Sequence, residues 1–209
     1  MNLNQGMLIS FEGMEGAGKT TQCEVLAKKL EQAGHQVVVI REPGGVPIAE
    51  EIRQVVLRPR DEKMGVMTEV LLFQAARAQL YEEVVLPSLA KKMVVLMDRT
   101  RDSSTVYQGM VRGIGVEKIE QLNDIATHNT TPALTFLLDL PPAVGLDRRA
   151  KAGKMDRIEQ EGLGLQEKVC KAYLEVAHQN KDGRWVIIDG SQSQEAVEAQ
   201  VWEQIQKVI

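Results

Sequence analysis

An α/β fold, with a five-stranded parallel sheet flanked by helices, is predicted by three features of the 209-residue sequence. Five short apolar runs recur along the chain, longer helical patterns separate them, and a glycine-rich segment follows the first run at once. Strand and helix in alternation is the pattern of crossover units, which place strands in parallel and helices on both faces.

The elements follow in order. Met7–Phe11 is a short apolar run, and Lys19–Ala33 after it is helical in pattern. Gln36–Arg41 carries a Val-Val-Val-Ile core, the composition of a strand buried on both faces. Helical patterns cover Pro47–Leu57 and Thr68–Ala90, and Pro87, lacking an N–H, predicts a kink or an end in the second. Val94–Asp98 and Leu134–Asp139 read as strands that each end on an acid, with a pair of helices between Ser103 and His128. Pro142–Lys151, Gly164–Asn180 and Ser193–Val208 read as helices, and Trp185–Asp189 as the fifth strand. With no repeat, low-complexity tract or linker, residues 1–209 read as one domain, and the polar stretch 151–164 as a short insertion, which the resemblance given below would make a lid.

Composition narrows the class. Aromatic residues are only 4% of the chain, so the core must rest on Leu, Val, Ile, Met and Ala, with Met64, Met67, Met93 and Met97 as fillers. Trp185 and Trp202 are expected beside the last strand and helix. A net charge of −4 argues against a nucleic-acid-coating surface. Cys23 and Cys170 lie far apart without metal spacing, which favours a reducing compartment over a disulfide framework. His35, His128 and His178 show no ligand spacing. Neither a signal peptide nor a membrane-spanning run is apparent, so the expectation is a cytoplasmic protein with no membrane or nucleic-acid partner.

The sharpest motif is Gly13-Met14-Glu15-Gly16-Ala17-Gly18-Lys19-Thr20, which fits G-x-x-x-x-G-K-[ST] between a strand and a helix. This is the P-loop, and it assigns the chain to the P-loop NTPase fold. Glycines let its backbone N–H groups wrap phosphate oxygens, and the helix N-terminus adds partial positive charge. Lys19 is expected at the β- and γ-phosphates of ATP, and the Thr20 hydroxyl on Mg²⁺. A P-loop alone does not choose between switch GTPases, motor ATPases and small-molecule kinases.

Five segments, taken in order, resemble the thymidylate kinase family in its bacterial form. They are Phe11–Thr21, Arg41–Pro47 (REPGGVP), Phe73–Gln79 (FQAARAQ), Asp98-Arg99 with Asp102–Ser104 and Tyr107–Gly109, and Asp156–Glu159 (DRIE). The resemblance implies a nucleoside monophosphate kinase-like fold, transfer of the ATP γ-phosphoryl to dTMP, Mg²⁺ as cofactor and a homodimer. By the same resemblance, Gly13 through Thr21 cradle the nucleotide, and Arg99 holds the dTMP phosphate. Asp98 organises magnesium through water, and Glu15 faces the acceptor's 3′-hydroxyl. Pro43, Phe73, Arg77, Ser103, Ser104, Tyr107 and Gln108 line the base and sugar pocket. The bacterial form takes its catalytic arginine from the lid, and Gly16 in the P-loop agrees. Arg149 and Arg157, in a basic stretch with Arg148, Lys151 and Lys154, are the expected closing cations.

Each segment has a reading of its own. Phe73 and Arg77 share one helical face and suit stacking and donation to a pyrimidine, yet a core Phe beside a surface Arg fits equally. Arg99 emerges at the carboxyl edge of the sheet, where α/β folds bind ligands, and suits bidentate capture of a phosphate; a local Asp98–Arg99 pair is the alternative. Glu15 reads otherwise as a solvent-facing acid, Tyr107 as a capped core residue, and the basic stretch as a solvated face. The sequence departs from the family at Thr100, at Met110-Val111, and over Gly162–Cys170, which lacks the usual Phe and Arg residues. A P-loop switch, or a monophosphate kinase of another base specificity, remains the alternative function.

Overall fold

The structure, a computed structural model, describes residues 5–151, 153, 155–179 and 182–209. Strands β1 (Met7–Glu12), β2 (Val37–Arg41), β3 (Val94–Asp98), β4 (Leu134–Asp139) and β5 (Trp185–Asp189) form one sheet in the order β2-β3-β1-β4-β5. All neighbouring pairs are parallel. Helices α1 (Lys19–Gln32), α2 (Pro47–Leu57), α3 (Val66–Leu80), α4 (Leu86–Ala90), α5 (Arg101–Ser104), α6 (Val116–Thr127), α7 (Pro142–Ala150) and α8 (Leu163–Gln179) fill the crossovers, and α9 (Gln194–Ile205) follows the last strand.

Period-2 side-chain alternation divides the strands between two cores. Ile9, Phe11, Val94, Leu96, Phe136 and Leu138 pack with α1 and α9. Leu8, Val95 and Met97 face Ala76 and Leu80 of α3, while Leu137 joins Val169 and Tyr173 of α8. Burying each such side chain contributes about 1.5–3 kcal/mol, so patterning rather than local propensity holds these strands. Where sheet interiors are polar, the groups are paired: Ser10 donates to Thr135 at 2.9 Å, and Arg184 grips Asp102 with two bonds of 2.7 Å.

Several expectations need adjustment. The helix read as Thr68–Ala90 begins at Val66 and neither stops nor simply kinks at Pro87; a π turn at Tyr81–Val85 links α3 to α4. The wider turn accommodates a proline that has no N–H to return to the preceding turn. A second π segment, Thr105–Val111, follows α5, so the expected helix pair begins with a widened coil. Of the four methionines read as core, only Met97 is fully buried; Met67 is exposed on α3. Trp202 packs on the α1–α9 core and Trp185 on the α8 core. Lys154 and Asn180 lie outside the described residues.

Candidate active site at the carboxyl edge of the sheet

The chain leaves β1 for α1 on one side of the sheet, and β3 crosses past β1 to reach β4. The strand order reverses beside β1, and ligands of open α/β sheets bind at that switch point. The register aligns Arg41, Asp98 and Phe11 across β2, β3 and β1, so the residues that follow them line one rim. A cavity of about 860 Å³ opens there, between the P-loop, α2, α3, the 105–111 segment and the stretch that carries Asp156, Ile158 and Glu159.

At one end stands the P-loop. Gly18 adopts a left-handed conformation (φ 93°) and caps α1, whose N-terminus is thereby turned into the loop. Gly16 is also left-handed (φ 76°), and a Cβ there would collide with the carbonyl of Gly145 in α7. No side chain can occupy that position, so any cation acting from this side must come from elsewhere. Met14 is packed in the core, leaving only its backbone to the loop; its carbonyl accepts from Lys19 Nζ at 2.9 Å. Burial and the nearby Arg99 hold Lys19 below the usual lysine range. Thr20 and Thr21 line the cavity, and Thr20 Oγ1 donates to Asp98 Oδ2 at 2.5 Å.

In the middle of the cavity, Arg99 sits at a non-glycine positive φ of 71°, a conformation kept only where its surroundings impose it. Those surroundings are specific. Its guanidinium donates to Ser103 Oγ and Tyr173 Oη, each at 3.1 Å, and to Glu15 Oε1 at 2.6 Å, and it stands 5.4 Å from the Tyr107 ring centre. The local Asp98–Arg99 pair therefore does not form; Asp98 serves Thr20 and Arg99 serves Glu15. Burial by itself would raise the Glu15 carboxyl, but Arg99 and Lys19 bring it down to about 2. Glu12, at the end of β1, accepts from Thr100 N (2.7 Å), Ser103 Oγ (2.6 Å) and Tyr173 Oη (2.7 Å) and so fixes the turn that carries Arg99.

The far wall is built on α3. Phe73 and Arg77 both line the cavity, one turn apart. Arg77 is 2% exposed, and its guanidinium is held by Glu42 (2.8 and 2.6 Å), Gln74, Ser104, Asn123 and the Thr100 carbonyl. It is therefore neither a surface arginine nor a group with idle donors. Pro43, Ser104, Tyr107 and Gln108 complete the wall, the last two carried by the π segment.

The two arginines expected to close the site diverge. Arg149, at the end of α7, lines the cavity and donates through Nε to Glu159 at 2.5 Å. Arg157 does not line it. Its backbone and side chain bond the last carbonyls of α2, Leu57 and Val56, at 2.9 and 3.0 Å, and its guanidinium meets Glu69 at 2.7 Å. A cation at a helix C-terminus is favourable, and nothing in a basic run distinguishes that use from one facing phosphates.

The sequence reading missed Glu12, Tyr173, Arg53 and Glu69. Arg53 lines the cavity and donates to the Pro43 carbonyl at 2.7 Å. An acid closing an apolar strand was the available signal for Glu12; the others carry none at short range. Among the described residues no group of three or more His, Cys, Asp or Glu is arranged to hold a metal. Thr20 and Asp98 instead offer the two hard oxygens that suit magnesium bound chiefly by phosphates and water.

Comparison with known proteins agrees with this geometry. The sequence model of the family described as Thymidylate kinase matches residues 11–201. Curated thymidylate kinases of Deinococcus radiodurans and Pseudomonas entomophila are 44% and 47% identical, over 96% and 92% of this chain and 96% and 91% of their own. The crystal structure of thymidylate kinase from Ehrlichia chaffeensis superimposes with a TM-score of 0.78 at 29% identity, covering 97% of this chain and 99% of that one. With the P-loop and an arginine-bearing second wall opening on one cavity, and with this likeness over nearly its whole length, the chain belongs to the thymidylate kinase family.

Proposed function

We propose that the protein transfers the γ-phosphoryl group of ATP to dTMP, giving ADP and dTDP. The observation that carries this reading is the single cavity that joins the P-loop to the wall of Phe73 and Arg77, with Arg99 between them. A nucleotide switch has no use for that second wall.

Residues 13 to 21 hold the ATP phosphates through backbone N–H groups, with Lys19 drawn from the Met14 carbonyl toward the β- and γ-oxygens. Thr20, with Asp98 acting through water, would hold Mg²⁺, which supplies charge neutralisation on the phosphate oxygens. Arg99 captures the acceptor phosphate bidentately, exchanging Glu15 for it. Glu15 is then released toward the sugar hydroxyl. Phe73 stacks the base, with Arg77, Ser103, Ser104 and Gln108 lining its pocket and Tyr107 under the sugar. Pro43 closes the near side.

The acceptor is already an anionic nucleophile, so positioning and charge stabilisation carry the rate. Arg149 is the lid cation best placed for the transferred group, since Gly16 has no room for one. Arg157 enters the cavity only if the lid lets go of Glu69. Closure of segment 151–164 would also exclude water and limit hydrolysis.

Among the described residues no helix is long and apolar enough to cross a membrane. Two free cysteines suit a reducing, cytoplasmic setting. Ile48, Val55, Met67 and Leu71 leave apolar surface exposed on α2 and α3, which supports a homodimer through these helices.

The test is ADP release from Mg·ATP in the presence of dTMP, dUMP, UMP, CMP, AMP or GMP. We expect dTMP to win by a wide margin, with dTDP and ADP formed in equal amounts. Preference for another monophosphate would overturn the pocket assignment, and equal hydrolysis without any acceptor would overturn the kinase reading.

A further inference from the structure

We propose that Glu69 sets the base selectivity of the acceptor pocket as a positioning residue. Its carboxylate orients the Gln108 amide to accept from a pyrimidine N3–H, and ties that amide to the lid through Arg157. The proposal rests on the acceptor assignment made under Proposed function.

Glu69 lies in the first turn of α3 and is 3% exposed. Its Oε1 accepts from Gln108 Nε2 at 2.9 Å and from Arg112 Nε at 3.3 Å, while Oε2 accepts from Arg157 at 2.7 Å. Burial would raise its pKa, but the bonds from Gln108 and Arg157 and the charge of Arg112 outweigh that and keep it ionised. An ionised carboxylate only accepts hydrogen bonds, so the Gln108 amide must turn its NH₂ toward Glu69. The amide oxygen is then the polar end left for the cavity that Gln108 lines, and no donor among the described residues reaches it.

That fixed acceptor reads one feature of a base. Thymine and uracil present an N3–H between two carbonyls; cytosine presents a lone pair at N3. The first matches the Gln108 oxygen and the second opposes it. A buried polar group left unmatched discriminates far more strongly than a missing methyl contact does. The same carboxylate also receives Arg157 of the lid, and Arg112 pairs onward with Glu161 just past the lid's DRIE element. Base reading and lid anchoring therefore share one group.

Glu69→Gln is the discriminating variant. It replaces one acceptor oxygen with an NH₂ in nearly the same shape. Arg112 and Arg157 can only donate, so Gln108 is the one partner able to exchange its roles. Turning the new NH₂ toward Gln108 sacrifices only the 3.3 Å bond of Arg112, which keeps Glu161. Gln108 then presents its own NH₂ to the cavity, the match for cytosine.

Steady-state kinetics with dTMP and dCMP, with melting temperature measured on each variant, provide the test. For Glu69→Gln the dTMP-over-dCMP ratio of kcat/KM should fall about tenfold or more, through the KM for monophosphate, with the KM for ATP within about twofold. Glu69→Asp keeps an acceptor-only group and should hold the ratio within about threefold even where KM rises. A wild-type ratio in Glu69→Gln, whatever its melting temperature, overturns the proposal. So does an equal loss of the ratio in Glu69→Asp. A wild-type enzyme that does not prefer dTMP overturns the acceptor reading itself, and this inference with it, before any variant is made.

Discussion

Two buried cations stand at opposite ends of one cavity and are held in opposite ways. Arg77 has a carboxylate, two amides, a hydroxyl and a carbonyl around it. Lys19, 6% exposed, bonds only the neutral Met14 carbonyl among the described residues, and its pKa is lowered by burial and by Arg99. The wall that carries Arg77 has its hydrogen bonds satisfied within the chain itself. The P-loop end holds a desolvated charge that Glu15, Asp98 and Glu12 offset only through space, with no carboxylate among the described residues hydrogen-bonded to it.

The comparison breaks most visibly if Arg77 is removed. Arg77→Met leaves Glu42 buried without its partner, already raised in pKa by burial and with Oε1 unbonded. We expect a loss of about 3–5 kcal/mol in unfolding free energy, read by urea denaturation. A change under about 1 kcal/mol would mean the wall is not held by this pair. Lys19→Ala should do the reverse: kcat falls about 10²–10³-fold while the melting temperature stays level or rises. A stability loss like that of Arg77→Met would erase the distinction between the two ends.

Gln166 sharpens the point from a third side. It is fully buried in the first turn of α8, and neither of its side-chain polar atoms has a hydrogen bond to the described residues. Gln166→Leu should raise unfolding free energy by about 1–3 kcal/mol, and an unchanged or lowered value would reveal a partner for the amide. The smallest effect concerns Glu15. Its carboxyl is depressed from 4.5 to about 2, so its stabilising contribution is fully present above about pH 4.5 and is lost as the pH falls toward 2. The difference in melting temperature between wild type and Glu15→Gln should therefore shrink over that interval, and a gap independent of pH would count against the Arg99–Glu15 pair.

Much of the fold was legible because its signals are local. The apolar runs marked all five strands to within one or two residues at their ends, and the P-loop announced itself through glycines whose backbone angles no other residue adopts readily. The π turns were not legible, since a helix widened by one residue keeps nearly the same apolar spacing. Within the site, Arg77 and Arg157 illustrate the limit. Both stand in ordered motifs, yet one lies in the pocket wall and the other on the end of α2, and residue type and spacing are the same kind of signal for both.

The sequence by itself determined the fold class, the P-loop motif and the family, because each rests on short local patterns that keep their order along the chain. Only the tertiary structure decided which acid serves which base. Glu12 lies 88 residues from Thr100 and 161 from Tyr173, and Glu69 lies 39 from Gln108 and 88 from Arg157. Those partners meet only after the crossovers bring the strand ends to one rim. A carboxylate's role follows from the donors within 3 Å of it, and no local pattern encodes them.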